Sequence, residues 1–255
     1  MTQKKNILDR RSFVKAGLGT VAGVAAMGPG ADLAKSATAA ATPATIGGRE
    51  AVALPTTGFV TPRFALGGSA MGGYGLKNFE MMTLERMAEC VRHAFDEGVR
   101  YFDTAVGYRK GLNPGSEDVL GNALHDVRDQ VFINTKTHAR TPEDARKHIA
   151  FSLKSMKTDY VDCLKLHVPN HYDYAMRVGE ELARMKEEGL TRTIGVSNHV
   201  HFEVLYKLVE SGLFDEILVA KGYFPKGMNE ILSHRNQEFR ELALIRAEEL
   251  GMNII

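Results

Sequence analysis

The feature that most constrains the fold of this chain is a regular alternation of short apolar β-patterns with longer amphipathic helix patterns. The helix patterns carry clear boundary signals, such as Ser116 and Thr141 as predicted caps, Pro142 at a first helical position and Gly98 after a last one. Strands that alternate with helices are typical of a parallel sheet with helices outside it. The seven predicted strands are Phe64–Leu66, Tyr101–Asp103, Val131–Lys136, Tyr160–His167, Thr193–Val196, Ile217–Ala220 and Met252–Ile255.

Several of these strands end in ionisable side chains. Asp103 ends the second strand and Tyr108 follows five residues later, while Lys136 and His167 end the third and fourth strands. Barrel enzymes keep their chemistry at the carboxyl ends of the strands. This placement favours a closed (β/α)8 TIM barrel over an open sheet. Since only seven strands can be counted, we interpret the chain as a barrel truncated after the start of strand 7.

Four motifs in a fixed order suggest a family. They are the Asp103 to Tyr108 spacing and the segments SEDVLGNAL (116–124), TDYVDCLKLH (158–167) and IGVSN (194–198). Together they resemble the aldo/keto reductases, whose tetrad is Asp, Tyr, Lys and His in that chain order. The resemblance implies hydride transfer from NADP(H), possibly NAD(H), to a small-molecule carbonyl substrate, an aldehyde or a ketone.

The tetrad can be assigned roles from its chemistry. A tyrosine has a reference pKa near 10, so it needs a neighbouring cation to donate a proton at neutral pH. We therefore expect Tyr108 to be the general acid, Lys136 the cation that tunes it and Asp103 the carboxylate that pairs with Lys136. His167 would orient the substrate carbonyl. Taken singly, an aspartate at a strand end is more commonly a turn former, a lysine is usually solvated, and a histidine is usually a core residue with its hydrogen bonds satisfied.

Four further residues are candidates for cofactor binding. The resemblance places Gly68 and Ser69, after the first strand, beside the nicotinamide, and it assigns Ser197 and Asn198 to the nicotinamide carboxamide. The alternatives are a flexible glycine-rich turn at the first pair and a cap for the helix near Val200 at the second. The family often has a glutamine after the sixth strand, where this chain has Ala220.

The start of the chain resembles a twin-arginine export signal. Arg10 and Arg11 precede an apolar run, 16–27, that is too short to span a bilayer of roughly 30 Å. We therefore predict a signal peptide over 1–41, a linker and N-terminal segment over 42–58, and an incomplete barrel over 59–255. The prediction includes the twin-arginine export machinery as a partner, a periplasmic location and no stable membrane anchor. The alternative is a disordered basic leader.

Composition and residue spacing argue against several kinds of partner and site. The formal net charge of +1 gives no basic surface for nucleic acid. Cys90 and Cys163 lie beside apolar neighbours and are predicted to be buried thiols rather than a disulfide. His199 and His201 lack acidic or cysteine partners at metal-binding spacing, so no metal site is predicted.

Two other functions remain open at this point. A non-catalytic nucleotide-binding module can use the same fold, because fold does not fix function. A metal-dependent isomerase or hydrolase could also place His167 at a strand end.

Overall fold

The computed structural model describes residues 45–69, 71, 83–108, 115–221 and 232–255. The predicted signal peptide over 1–41 and the first residues of the linker lie outside these residues. No helix in the described part of the chain has the length and apolar character needed to cross a membrane.

The main sheet has seven parallel strands, and their spatial order follows their order in the chain. This confirms the predicted alternation of strand and helix. The seven strands are β3 (Leu66–Gly67), β4 (Tyr101–Asp103), β5 (Phe132–Thr137), β6 (Val161–His167), β7 (Thr191–Ser197), β8 (Glu216–Leu218) and β9 (Asn253–Ile254). The helices are α1 (Leu84–Asp96), α2 (Ser116–Leu124), a 3-10 helix (His125–Gln130), α3 (Pro142–Met156), α4 (Tyr172–Glu187), α5 (Phe202–Glu210) and α6 (His234–Glu249).

Contacts between distant strands show that the sheet curls. The Tyr101 hydroxyl on β4 donates to Glu216 Oε1 on β8 at 2.6 Å, although three strands separate them in the sheet. Lys165 on β6 lies between them, with its ammonium 3.0 Å from the Tyr101 hydroxyl and paired with Glu216. Side chains from alternate strands that meet in one layer are typical of the interior of a (β/α)8 barrel. The sheet is therefore part of such a barrel.

Two helix starts illustrate how local chemistry sets the boundaries. Thr141 caps α3 as predicted, since its hydroxyl accepts from the Asp144 N–H at 3.2 Å. Ser116 was predicted to cap α2, but Gly115 is the N-cap and Ser116 is the first helical residue. The reason is that the Ser116 hydroxyl is hydrogen-bonded to Thr104 instead.

A short hairpin precedes the barrel in the described part of the chain. Strand β1 (Ala51–Ala53) pairs antiparallel with β2 (Val60–Pro62), and Leu54 beside this hairpin is buried in a small core with Tyr101, Phe132 and Cys163. Burial of apolar surface stabilises this hairpin against the barrel.

Two smaller expectations were wrong. The first barrel strand lies at Leu66–Gly67 rather than Phe64–Leu66, and Phe64 is exposed. Cys163 is buried as expected, but Cys90 is exposed on α1, and both cysteines are free. The apolar neighbours of Cys90 occupy a different helix face: Met87 and Val91 point into the core.

Candidate active site

The strand register brings the predicted tetrad to one end of the sheet. Asp103 is aligned with Asn134, Lys136 with Lys165, and His167 with Ser197. Because the strands are parallel, their carboxyl ends lie along one edge of the sheet, which is where barrel enzymes hold reactive groups. Asp103, Tyr108, Lys136 and His167 therefore form one cluster.

Lys136 is the centre of this cluster. Its side chain is 1% exposed, and its ammonium donates to Asp103 Oδ2 at 2.5 Å and to the Thr104 carbonyl oxygen at 2.7 Å. Burial lowers the pKa of Lys136 from its ordinary value, and the Asp103 carboxylate opposes that effect. Asn134 donates to the other carboxylate oxygen of Asp103, which fixes the orientation of the carboxylate. The lysine is thus a buried cation held in a defined place.

Tyr108 reaches the lysine from the turn after β4. Its hydroxyl oxygen lies 3.4 Å from Lys136 Nζ, and Nζ lies 5.0 Å from the centre of its ring. Gly107, with φ of +86°, provides the left-handed backbone conformation that this turn needs. The Lys136 ammonium therefore lies within hydrogen-bond distance of the Tyr108 hydroxyl.

His167 faces the ring of Tyr108. The two ring centres lie 5.7 Å apart in an edge-on arrangement. Burial, reinforced by the positive charge of Lys136, lowers the pKa of His167 to about 4. The imidazole is therefore neutral at neutral pH, where it can donate or accept one hydrogen bond at each nitrogen according to its tautomer.

Gly68 packs against this cluster, whereas Ser69 has no described contact with it. The Gly68 N–H donates to the Asp103 carbonyl oxygen at 2.6 Å, and a Cβ at this position would lie 2.9 Å from that oxygen. Close packing thus explains the glycine without any ligand. Ser69 is exposed.

The side chains of Ser197 and Asn198 differ in their hydrogen bonds within the protein. The Ser197 hydroxyl is buried and has no hydrogen-bond partner among the described residues. Asn198 accepts from the N–H groups of Val200 and His201 at 3.1 and 2.8 Å and donates to the Pro169 carbonyl at 2.8 Å. Asn198 therefore organises the turn before α5, but it does not cap that helix, whose N-cap is His201. Ser197 fits a ligand that offers a hydrogen bond, such as a carboxamide.

Sequence reasoning missed several residues around Lys136. They include Thr104, whose carbonyl receives one of the lysine's three N–H groups, and Asn134, which holds Asp103. A backbone acceptor leaves no signal in the sequence. Asn134 does leave one, because it is a polar residue within a strand pattern that is otherwise suited to burial. In the described part of the chain, no three His, Cys, Asp or Glu side chains are grouped so as to hold a metal ion.

The chain was compared with sequence models of known protein families. The sequence model described as "Aldo/keto reductase family" matches residues 64–238, which include every site residue named above. This chain belongs to the aldo/keto reductase family.

Two bacterial proteins illustrate the curated relatives of this aldo/keto reductase. The aldo-keto reductase YhdN of Bacillus subtilis is 32% identical over 161 residues, which are 58% of this chain and 47% of the relative. The methylglyoxal reductase DkgA of Yersinia pestis is 33% identical over 132 residues, 50% of this chain and 45% of the relative. The chain spans about half the length of these curated relatives.

Solved structures agree on the fold of this aldo/keto reductase. An aldo-keto reductase of Bacillus halodurans in its holo form has a TM-score of 0.64 at 20% identity, covering 81% of this chain and 65% of that one. An aldo-keto reductase of Klebsiella pneumoniae in complex with NADPH has a TM-score of 0.59 at 21% identity, covering 81% and 66%. At this identity the likeness shows the barrel fold, not a shared substrate.

Proposed function

We propose that this chain carries the active site of a reductase that transfers a hydride from NAD(P)H to an aldehyde or a ketone. The observation that supports this most directly is the position of the Lys136 ammonium. It is paired with Asp103 at 2.5 Å and lies 3.4 Å from the Tyr108 hydroxyl oxygen. A buried cation beside a phenol is what proton donation by tyrosine near neutral pH requires.

In the proposed reaction, Tyr108 donates its hydroxyl proton to the carbonyl oxygen of the substrate. A nicotinamide cofactor held beside Ser197 would supply the hydride for the carbonyl carbon, and the product would be an alcohol. The negative charge left on the Tyr108 oxygen is stabilised by the neighbouring Lys136 ammonium. Asp103 keeps the ammonium in place, because a buried lysine without its counter-ion would tend to lose its proton.

His167 would bind the substrate carbonyl without competing for the proton. With its pKa lowered to about 4, the imidazole is neutral at neutral pH. A neutral imidazole orients the carbonyl oxygen through a hydrogen bond, and its edge-on position against Tyr108 puts both groups beside the same small volume. Tyr108 is then the proton donor and His167 the group that aligns the acceptor.

The cofactor assignment is supported by Ser197. Its buried hydroxyl lacks a partner in the described part of the chain, and in the register it stands beside His167. A carboxamide bound there would satisfy the hydroxyl and bring a nicotinamide ring close to the tetrad. We propose NADP(H), as in the structural relative with NADPH bound. NAD(H) is the alternative, since a methylglyoxal reductase of Escherichia coli that is 27% identical over 206 residues is described as NADH-specific.

Small aldehydes and ketones are the proposed substrates. Relatives from Yersinia pestis and Escherichia coli are named methylglyoxal reductases, which makes short dicarbonyl compounds the first substrates to test. We also propose export by the twin-arginine pathway to the periplasm, supported by Arg10, Arg11 and the short apolar run after them.

The proposal can be tested on the chain lacking residues 1–41. Titration of NADPH and NADH, followed by quenching or enhancement of nicotinamide fluorescence, measures cofactor binding. Addition of methylglyoxal or an aromatic aldehyde to the loaded protein then measures oxidation of the cofactor. Saturable binding followed by turnover supports a reductase, whereas tight binding without turnover across a broad carbonyl panel supports a non-catalytic nucleotide-binding module.

A further inference from the structure

Two polar side chains at the start of α2 are buried beside the tetrad. Ser116 is fully buried and Glu117 is 3% exposed. The first turn of a helix usually turns its polar side chains to solvent, and a carboxyl group is seldom buried without partners. The hydrogen-bond partners of these two buried side chains therefore need to be identified.

Ser116 contacts Thr104, whose backbone carbonyl accepts a hydrogen bond from Lys136. Its hydroxyl lies 2.5 Å from the Thr104 hydroxyl, and the Thr104 carbonyl accepts the Lys136 ammonium at 2.7 Å. The other side of this contact is closed by Gly68, where a Cβ would come within 3.3 Å of both hydroxyl oxygens. Thr104 therefore has little room to move while Ser116 holds it.

Glu117 acts on the strand from which Lys136 projects. Its Oε1 accepts a hydrogen bond of 2.6 Å from the hydroxyl of Thr135, the residue directly before Lys136. Successive side chains of a strand point to opposite faces, so Thr135 faces the helix layer while Lys136 faces the barrel interior. Fixing Thr135 from outside fixes the point at which the lysine side chain enters the barrel.

We propose that Ser116 and Glu117 are positioning residues that hold the Lys136 ammonium within reach of Tyr108 and so set the acidity of its phenol. This inference rests on the proposed function, in which Tyr108 donates a proton. The distance from Nζ to the Tyr108 oxygen, 3.4 Å, is longer than its distances to Asp103 and to the Thr104 carbonyl. A small shift of the ammonium would therefore weaken its effect on Tyr108 before it broke the ion pair.

The competing explanation is that Ser116 and Glu117 only attach α2 to the sheet. Attachment alone would affect the stability of the fold and leave the titration of Tyr108 unchanged. The two explanations are separated by measuring the ionisation of Tyr108 directly.

The experiment is an ultraviolet difference titration of phenolate absorbance in the full chain. Subtracting the same titration of Tyr108→Phe isolates Tyr108. The test variants are Ser116→Ala, which removes the contact with Thr104, and Glu117→Met, which removes the acceptor for Thr135. Glu117→Gln keeps an acceptor oxygen and serves as the conservative variant. Glu181→Met, at a buried carboxyl group on α4 that pairs with Arg146 and Arg184, is the matched control.

We expect the Tyr108 titration midpoint to rise by about one pH unit in Ser116→Ala and Glu117→Met, which is a tenfold lower phenolate fraction at a given pH. Glu117→Gln and Glu181→Met should keep the wild-type midpoint. In turnover, kcat should fall about tenfold in the two test variants with little change in KM.

The inference is overturned if both test variants keep the wild-type midpoint while only their melting temperatures fall. It is also overturned if Glu181→Met shifts the midpoint as much as they do. A shifted midpoint in a protein that reduces no carbonyl would instead uphold the positioning role and reject the proposed function, because the titration does not depend on turnover.

Discussion

Lys136 and Lys165 lie directly opposite each other on the adjacent strands β5 and β6, and both side chains are buried in the barrel. Each lysine has its own acid, Asp103 for Lys136 and Glu216 for Lys165. Burial lowers the pKa of Lys136, and the positive charge of Lys165 adds to that effect. Burial acts to lower the pKa of Lys165 as well, but the surrounding acidic groups, of which Glu216 is the strongest, together raise it. Two buried ion pairs therefore lie side by side on these strands, and the Lys136 pair is in contact with Tyr108.

The ion pair of Lys165 and Glu216 gives a prediction about stability. Glu216→Gln should lower the free energy of unfolding by about 3–5 kcal/mol, because it leaves the Lys165 ammonium buried without a counter-ion. The double variant Lys165→Met with Glu216→Leu removes both charges and should cost much less. Urea unfolding of the two variants measures the difference. A double variant at least as unstable as the single one would contradict this interpretation of the pair.

Gly195 gives a prediction about packing in the same layer. A Cβ at this position on β7 would lie 2.6 Å from the Glu216 carbonyl oxygen and 3.1 Å from Lys165 Cγ. Gly195→Ala should destabilise the fold by about 1–3 kcal/mol or more through overpacking. The matched control is Gly67→Ala on β3, where an added Cβ meets nothing within 4 Å. Equal melting temperatures for the two variants would show that the barrel can relax at Gly195.

Glu117 gives a prediction about pH. Burial raises its pKa from 4.5 to about 7, against hydrogen bonds from Thr135 and Ser152 that lower it. A raised pKa means that the folded state keeps the proton longer than the unfolded state. The stability that this contributes is present below pH 4.5 and is lost as the pH rises through about 7.

The comparison with Glu117→Gln isolates this contribution. Between those pH values the wild type should lose up to about 3 kcal/mol relative to the variant, since each pKa unit corresponds to about 1.4 kcal/mol. His167 acts in the opposite direction, because its pKa is lowered, but it is present in both proteins and cancels in the difference. Unfolding free energies measured across this range would contradict the prediction if the difference stayed constant.

Much of the fold could be predicted from the sequence because it follows from periodicity. The seven parallel strands, the cap at Thr141 and the grouping of Asp103, Lys136 and His167 at strand ends all depend on local patterns. The hairpin at 51–62, whose strands have three residues each, was missed because its formation depends on contacts with the barrel and not on a local pattern. Such short strands form through packing against Tyr101 and Phe132, which are distant in the sequence.

The parts of the site that could not be predicted depend on three-dimensional contacts. Ser116 has a suitable residue type and position for a helix cap, and only the proximity of Thr104 diverts its hydroxyl. The sequence suggests cofactor binding or helix capping for Asn198, whereas its side chain holds the turn before α5, whose N-cap is His201. The ion pair of Lys165 and Glu216 joins strands that are not neighbours, so no local pattern reveals it.

The central claim is that Tyr108 is the proton donor, and the most direct test is kcat for carbonyl reduction by Tyr108→Phe. The matched control is Tyr206→Phe on α5, whose ring packs against Phe239 outside the site. We expect Tyr108→Phe to lower kcat by about 10²–10⁴, the usual contribution of a general acid, while cofactor affinity is kept. Tyr206→Phe should retain wild-type kcat. Carbonyl reduction by Tyr108→Phe at the wild-type rate would contradict the account.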